Sequence, residues 1–135
     1  EEVALQLMQR GFRCSPVMAP FAAAAAFARA AAMPQKGVAA ALSISSLLGR
    51  GTLQAVAGGG DDWRWQVATA ARDGALAASV AQAGVKGPAL ALEGSNGFLA
   101  AYCGGKAAPS RWSELPQLSS IHAVWQKHFP TLGDN

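Results

Sequence analysis

Residues 21–34 read FAAAAAFARAAAMP, and the fold class turns on how that stretch is read. Alanine loses no side-chain rotamer freedom in a helix and ranks first in intrinsic helix propensity, so the run predicts a helix from Phe21 to Met33. Pro34 cannot continue that helix but suits the first turn of another. The next helix is expected over Gln35 to Leu48, closed by Gly49. Beyond Gly51 a short piece, Thr52 to Ala57, leads into the Gly58-Gly59-Gly60 punctuation. Asp61 and Asp62 then offer N-cap oxygens and a charge that complements a helix dipole, so a third long helix is expected through Ala83, stopping at Gly84.

The alanines also bear on packing. The chain has 135 residues, 31 of them alanine, so the 51% apolar content overstates the bulk available to fill a core. Four tryptophans and five phenylalanines must supply much of the volume. Helices faced with methyl groups approach more closely than leucine-faced ones, which predicts an all-α body of tightly packed, alanine-rich helices. Gly87-Pro88 opens a different stretch, with a turn expected at Gly94-Ser95-Asn96-Gly97 and a short apolar segment from Phe98 to Tyr102. Gly104 to Ser110 reads as a linker. From Trp112 to Phe129 the side chains lengthen and both histidines occur, so residues 1–112 are read as one helical domain and 113–135 as the connection to a second.

Several function classes are excluded at this level. High apolar content with 14% charge argues against disorder, and fifteen glycines without a period exclude collagen. The longest uncharged apolar stretch, Pro16 to Ala28, is shorter than the roughly 20 residues a membrane span needs and contains Pro20, so no membrane association is expected. The chain opens on Glu1-Glu2 with no basic n-region, so it is read as lacking a signal peptide and as having an internal or processed N-terminus. Eleven bases against eight acids give a net charge of +3, but the bases are scattered with no run of three, and no nucleic-acid partner is expected. Cys14 and Cys103 show no C-x-x-C spacing and are read as reduced, partly buried thiols in a cytoplasmic protein.

Candidate chemistry is sparse. The aspartates after Gly58-Gly59-Gly60 would repel a phosphate, so these glycines read as a flexible turn. His122 and His128 fall on different helix faces, unlike the i, i+4 spacing of a helical zinc site, and no metal is expected. More informative is the start of the third long helix. Trp63, Gln66, Ala70 and Asp73 share one face, and Trp65, Thr69, Arg72 and Leu76 a neighbouring one. Two tryptophans beside a polar row are either core anchors or a pocket wall. Arg13, beside Cys14 and Ser15 in the loop before the alanine helix, is either a solvated arginine or a cation that meets an anionic substrate together with backbone donors.

The order of segments then resembles a known family. Gly11-Phe12-Arg13-Cys14-Ser15-Pro16, Phe21 with the alanine block, Ala39-Ala40-Ala41-Leu42-Ser43-Ile44, Ala70-Ala71-Arg72-Asp73-Gly74 and Ala81-Gln82-Ala83-Gly84-Val85-Lys86-Gly87-Pro88 follow one another as in the MmgE/PrpD family. Leu92-Glu93-Gly94, Gly97-Phe98 and Lys127-His128-Phe129-Pro130 continue the match. That family includes 2-methylcitrate dehydratase and cis-aconitate decarboxylase. The resemblance implies part of an all-helical domain that leads toward an α+β lid domain, with the active site between them, and members usually about three times as long. It implies metal-free proton transfer without a cofactor on small polycarboxylates, and a homodimer or association with a complementary polypeptide.

The chain departs from the family pattern at two signatures. Where active members carry G-F-H, Arg13 replaces the histidine, and an arginine binds a carboxylate but is a poor proton shuttle. Where they carry K-P-L-H, this chain has Trp63-Arg64-Trp65-Gln66, so the lysine becomes Trp63 and the histidine Gln66. Lys127 retains the expected type in its segment. Beside an ordinary alanine-rich helical module unrelated to the family, two readings follow. One is a diverged lyase or isomerase for a small carboxylic acid, with Arg13, Ser15, Trp63, Arg64, Gln66 and Lys127 binding substrate and the catalytic residue unknown. The other is a catalytically inactive homologue with a structural or partner-binding role.

Overall fold

Pro16 and Pro20 do not delay the alanine helix. In the computed structural model, which describes residues 2–105, it begins seven residues earlier than the alanine run, because Pro16 falls in the first turn, where backbone N–H groups have no intrahelical partner. Pro20 removes a single interior bond, and the ladder continues to Ala30. The described elements are α1 (Glu2–Gln9), α2 (Cys14–Ala30), α3 (Gln35–Ser45), α4 (Gln54–Ala57), α5 (Trp63–Gln82) and α6 (Phe98–Cys103). There is no strand among the described residues, only an isolated antiparallel bridge between Phe12 and Thr52. The fold is all-α, as the alanine run implies. The expected boundary at residue 112 lies outside the described residues.

Two details of the expected helix starts differ. Pro34 is the N-cap of α3, one position before its first turn. Asp62 is the N-cap of α5, yet its side chain makes no capping bond; its backbone is already helical, and backbone N–H groups of Trp65 and Gln66 turn instead to its carbonyl. Asp61 pairs with exposed Arg64 at 3.5 Å, an exposed contact worth little to stability.

The core falls into two parts of different character. Where α2, α3 and α5 meet, Ala24, Ala28, Ala41, Ala77, Ala78 and Ala81 interlock with Met33. Closeness there is set by Gly74: a Cβ at that position would sit 2.6 Å from the Ala23 Cβ and closer still to the Pro20 carbonyl oxygen. The second part is a conventional large-residue cluster, which the alanine count does not foreshadow. Leu7, Val17, Phe98 and Leu99 are buried, Phe21 and Phe98 meet edge to face at 5.1 Å, and Phe98 stacks on Tyr102 at 4.6 Å. The Tyr102 hydroxyl donates to the Gly49 carbonyl at 2.7 Å, tying α6 to the segment between α3 and α4.

Candidate functional site

The residues before α2 and before α4 lie against each other. Arg13 N–H donates to the Gly51 carbonyl at 3.1 Å and Leu53 N–H to the Gly11 carbonyl at 2.9 Å, which fixes the register of the two segments. Gly51 has φ of +111°, in the region that favours glycine, and a Cβ there would meet the Pro16 ring at 2.6 Å. The first turns of α5 close over this pairing. Gln66 Nε2 donates to the Thr52 carbonyl at 3.3 Å, while its buried Oε1 has no hydrogen-bond partner.

Arg13 is the N-cap of α2 in extended conformation, so its side chain leaves the helix and reaches α5. Its Nη1 donates to the Trp63 carbonyl at 2.7 Å, and its guanidinium carbon lies 5.4 Å from the centre of the Trp63 ring. Arg64 places its own guanidinium carbon 5.3 Å from the same ring. One indole therefore carries two guanidinium groups, an arrangement worth about 0.5–1 kcal/mol per contact at an exposed site. Neither tryptophan anchors the core: Trp63 is 38% and Trp65 71% exposed. The turn phase of α5 leads Trp65 into solvent, whereas Trp63 stands on the face of the buried residues Ala70, Asp73, Gly74 and Ala77 but at the first position of the helix, ahead of that packing.

The structure thus brings Arg13, Trp63 and Arg64 into one group, with Gln66 one turn along α5. Ser15 lies in the first turn of α2 with its side chain exposed. Lys127 lies outside the described residues. Cys14, next to Arg13, is no ready nucleophile, because burial pushes its thiol up. Burial also raises the Cys103 thiol, with Arg10 opposing and Cys14 adding to the shift. Two open clefts of about 450 Å³ lie away from the arginine group, one between α3 and residues 84–89 and one against α6. We place the candidate site on chemistry instead: the arginine group is an open face rather than a cavity.

In the sequence Asp73 shares the Trp63 and Gln66 face of α5 with no role assigned to it, and Arg50 is one of the scattered bases. Asp73 is 2% exposed, and its carboxylate is gripped from two sides. Arg72 donates Nε and Nη2 to one oxygen at 3.0 and 2.8 Å, and the Arg50 guanidinium is in ion-pair contact with the other, which accepts no hydrogen bond. The available signal was a lone carboxylate bordered by Ala70, Gly74 and Ala77 on the one stripe of α5 that must be buried.

Comparison with known proteins gives one family. The model of the MmgE/PrpD N-terminal domain matches residues 3–110. Neither a curated protein nor a solved structure matches the chain.

Proposed function

Since the chain belongs to the MmgE/PrpD family, we propose that the Arg13, Trp63 and Arg64 group is the carboxylate-holding wall of a diverged lyase or isomerase, of the dehydratase or decarboxylase type, acting on a small carboxylic acid. The observation that carries this reading is the pair of guanidinium groups flanking one indole beside the start of a 17-residue helix. A guanidinium stays charged and presents a fork of donors that fits a carboxylate. Ser15 and the unpaired amides of the first turn of α2 add donors, and the helix dipole favours an anion there. Trp63 and Trp65 give the wall an apolar side, Gln66 supports it, and Lys127 supplies a further cation. None of these groups is a suitable proton shuttle at neutral pH, so the residue that moves the proton is a different one.

A second reading, a catalytically inactive homologue with a structural or partner-binding role, is favoured by one specific feature. Arg13 and Gln66 both use donors on carbonyls of their own domain, Trp63 and Thr52. Either reading includes a homodimer, or pairing with a complementary polypeptide, in the cytoplasm.

Calorimetric titration of the complete protein with cis-aconitate and 2-methylcitrate separates the two. The enzyme reading expects binding that Arg13→Ala weakens by more than about tenfold, the loss of one charge-assisted, two-point contact. Unchanged affinity in that variant would remove Arg13 from the site. Absence of binding and of any thermal shift across both acids would leave the inactive homologue. Restoring the family residues, with Arg13→His and Trp63→Lys, tests whether the scaffold supports turnover.

A further inference from the structure

We propose that Asp73 is a positioning residue for the carboxylate-holding wall, acting through Arg50 on the segment against which Arg13 is registered. The bonds form a continuous path. Asp73 pairs with Arg50, Arg50 is covalently joined to Gly51 and Thr52, Gly51 accepts the Arg13 amide, and Thr52 accepts the Gln66 side chain. Phe12 bridges Thr52, which places Gly11 and Leu53 in hydrogen-bonding register. Residues 48–53 carry no helix of their own, so their course depends on such ties.

The location makes a purely packing role for Asp73 a poor fit. It stands on a stripe of α5 otherwise built from Ala70, Gly74, Ala77 and Ala78, where a methyl group would pack without desolvating a charge. A buried carboxylate is costly unless its partners are held, and here they come from two directions. Arg72 is the adjacent residue on the same helix and fixes the carboxylate. Arg50 comes from the segment following α3, with its side chain half in solvent, and is the partner that the carboxylate in turn fixes. Orientation is what such a buried ionic contact supplies best, since its net stabilisation is small.

Site-resolved amide hydrogen exchange on the whole chain tests this. In Asp73→Asn and in Arg50→Gln, the Arg13 and Leu53 amides should exchange at least about tenfold faster, while those of Ala77 and Ala81 within α5 keep their protection. Unchanged exchange at Arg13 and Leu53 would overturn the proposal, and so would one common acceleration at all four amides, which marks loss of global stability alone. Should Asp73→Asn fail to fold, Arg50→Gln carries the test, because its side chain is half in solvent. A second arm rests on the carboxylate-binding reading: affinity for cis-aconitate should fall at least about fivefold in Arg50→Gln, with affinity unchanged from the parent overturning the link to the wall. Absence of binding by the parent chain sinks that reading alone, and the exchange result still decides whether Asp73 positions Arg13.

Discussion

Arg13 holds two partners at once, the Trp63 carbonyl by a hydrogen bond and the Trp63 ring, over which its guanidinium carbon lies at 5.4 Å. A lysine keeps the charge but offers neither a planar face nor a fork, so charge alone predicts no change for Arg13→Lys and geometry predicts a loss. We expect titration with cis-aconitate to show a several-fold weaker complex, between the parent and Arg13→Ala. Affinity equal to the parent would reduce Arg13 to a point charge. The half-buried Cys14 next to it gives a pH test. Burial raises its thiol in the folded chain, so folding resists formation of the thiolate. The stability this contributes is complete below the unfolded thiol's range, about pH 8.5, and is lost as pH rises through the higher folded value. Urea midpoints of the parent should therefore fall above about pH 8.5 more steeply than those of Cys14→Ala; parallel profiles would deny the shift. At this scale the sequence displayed the cations but not their arrangement. Trp63 and Gln66 stand at helical spacing, whereas the link from Asp73 to Arg50 spans a turn, a short helix and a glycine run that no local pattern connects.

Among the elements, α2 and α5 end in the same way with different residues. Each closes with paired backbone bonds, Met33 N–H to Ala28 and Ala32 N–H to Arg29 in α2, Val85 N–H to Val80 and Gly84 N–H to Ala81 in α5. This closure requires a left-handed residue just past the helix. In α5 it is Gly84, with φ of +96°, and in α2 it is Ala32, with φ of +52°. A Cβ in that conformation is strained, so Ala32→Gly should raise stability by about 0.5–1 kcal/mol in urea unfolding. A loss on that substitution would show that the alanine methyl earns its place by packing. The opposite experiment belongs to the crossing of α2 and α5. Gly74→Ala forces a Cβ against the Pro20 carbonyl and Ala23, and should cost about 3 kcal/mol or prevent folding, since neither neighbour is a flexible side-chain end. A melting temperature within a few degrees of the parent would mean that the helices separate readily. Gly84 was legible as a stop because glycine marks one, and the α2 closure was hidden because alanine does not. The start of α2 was obscured for a different reason: the alanine run marks only residues from Phe21 on, whereas the helix begins at Cys14, with Pro16 in the first turn where a missing N–H has no partner to lose.

Among the described residues, one of the two cores is built from the smallest side chains while several of the largest face outward. Alanine fills the crossing of α2, α3 and α5, while Leu47 at 76%, Trp65 at 71% and Leu90 at 60% face outward. Scattered apolar residues are ordinary on a protein surface, and their presence alone does not mark an interface. Two features strengthen the case here: charged side chains make up only 14% of the chain, and Trp65 and the exposed Leu76 share one face of α5. Burying that face would remove apolar area from water at about 25 cal/mol per Å², and the charge it carries, Arg72, is already paired with Asp73. We therefore expect the chain to associate in a concentration-dependent way in sedimentation velocity at micromolar to tens of micromolar concentrations. Trp65→Gln with Leu76→Gln should weaken that association and leave stability within about 0.5 kcal/mol, because both side chains are exposed and glutamine is a good helix former. Association that persists unchanged in the double variant would move the interface to another face, with Leu47 and Leu90 next to test. A chain that remains a monomer across the whole range would show that its alanine-lined interior suffices, with the outward tryptophan left to serve the arginine wall alone.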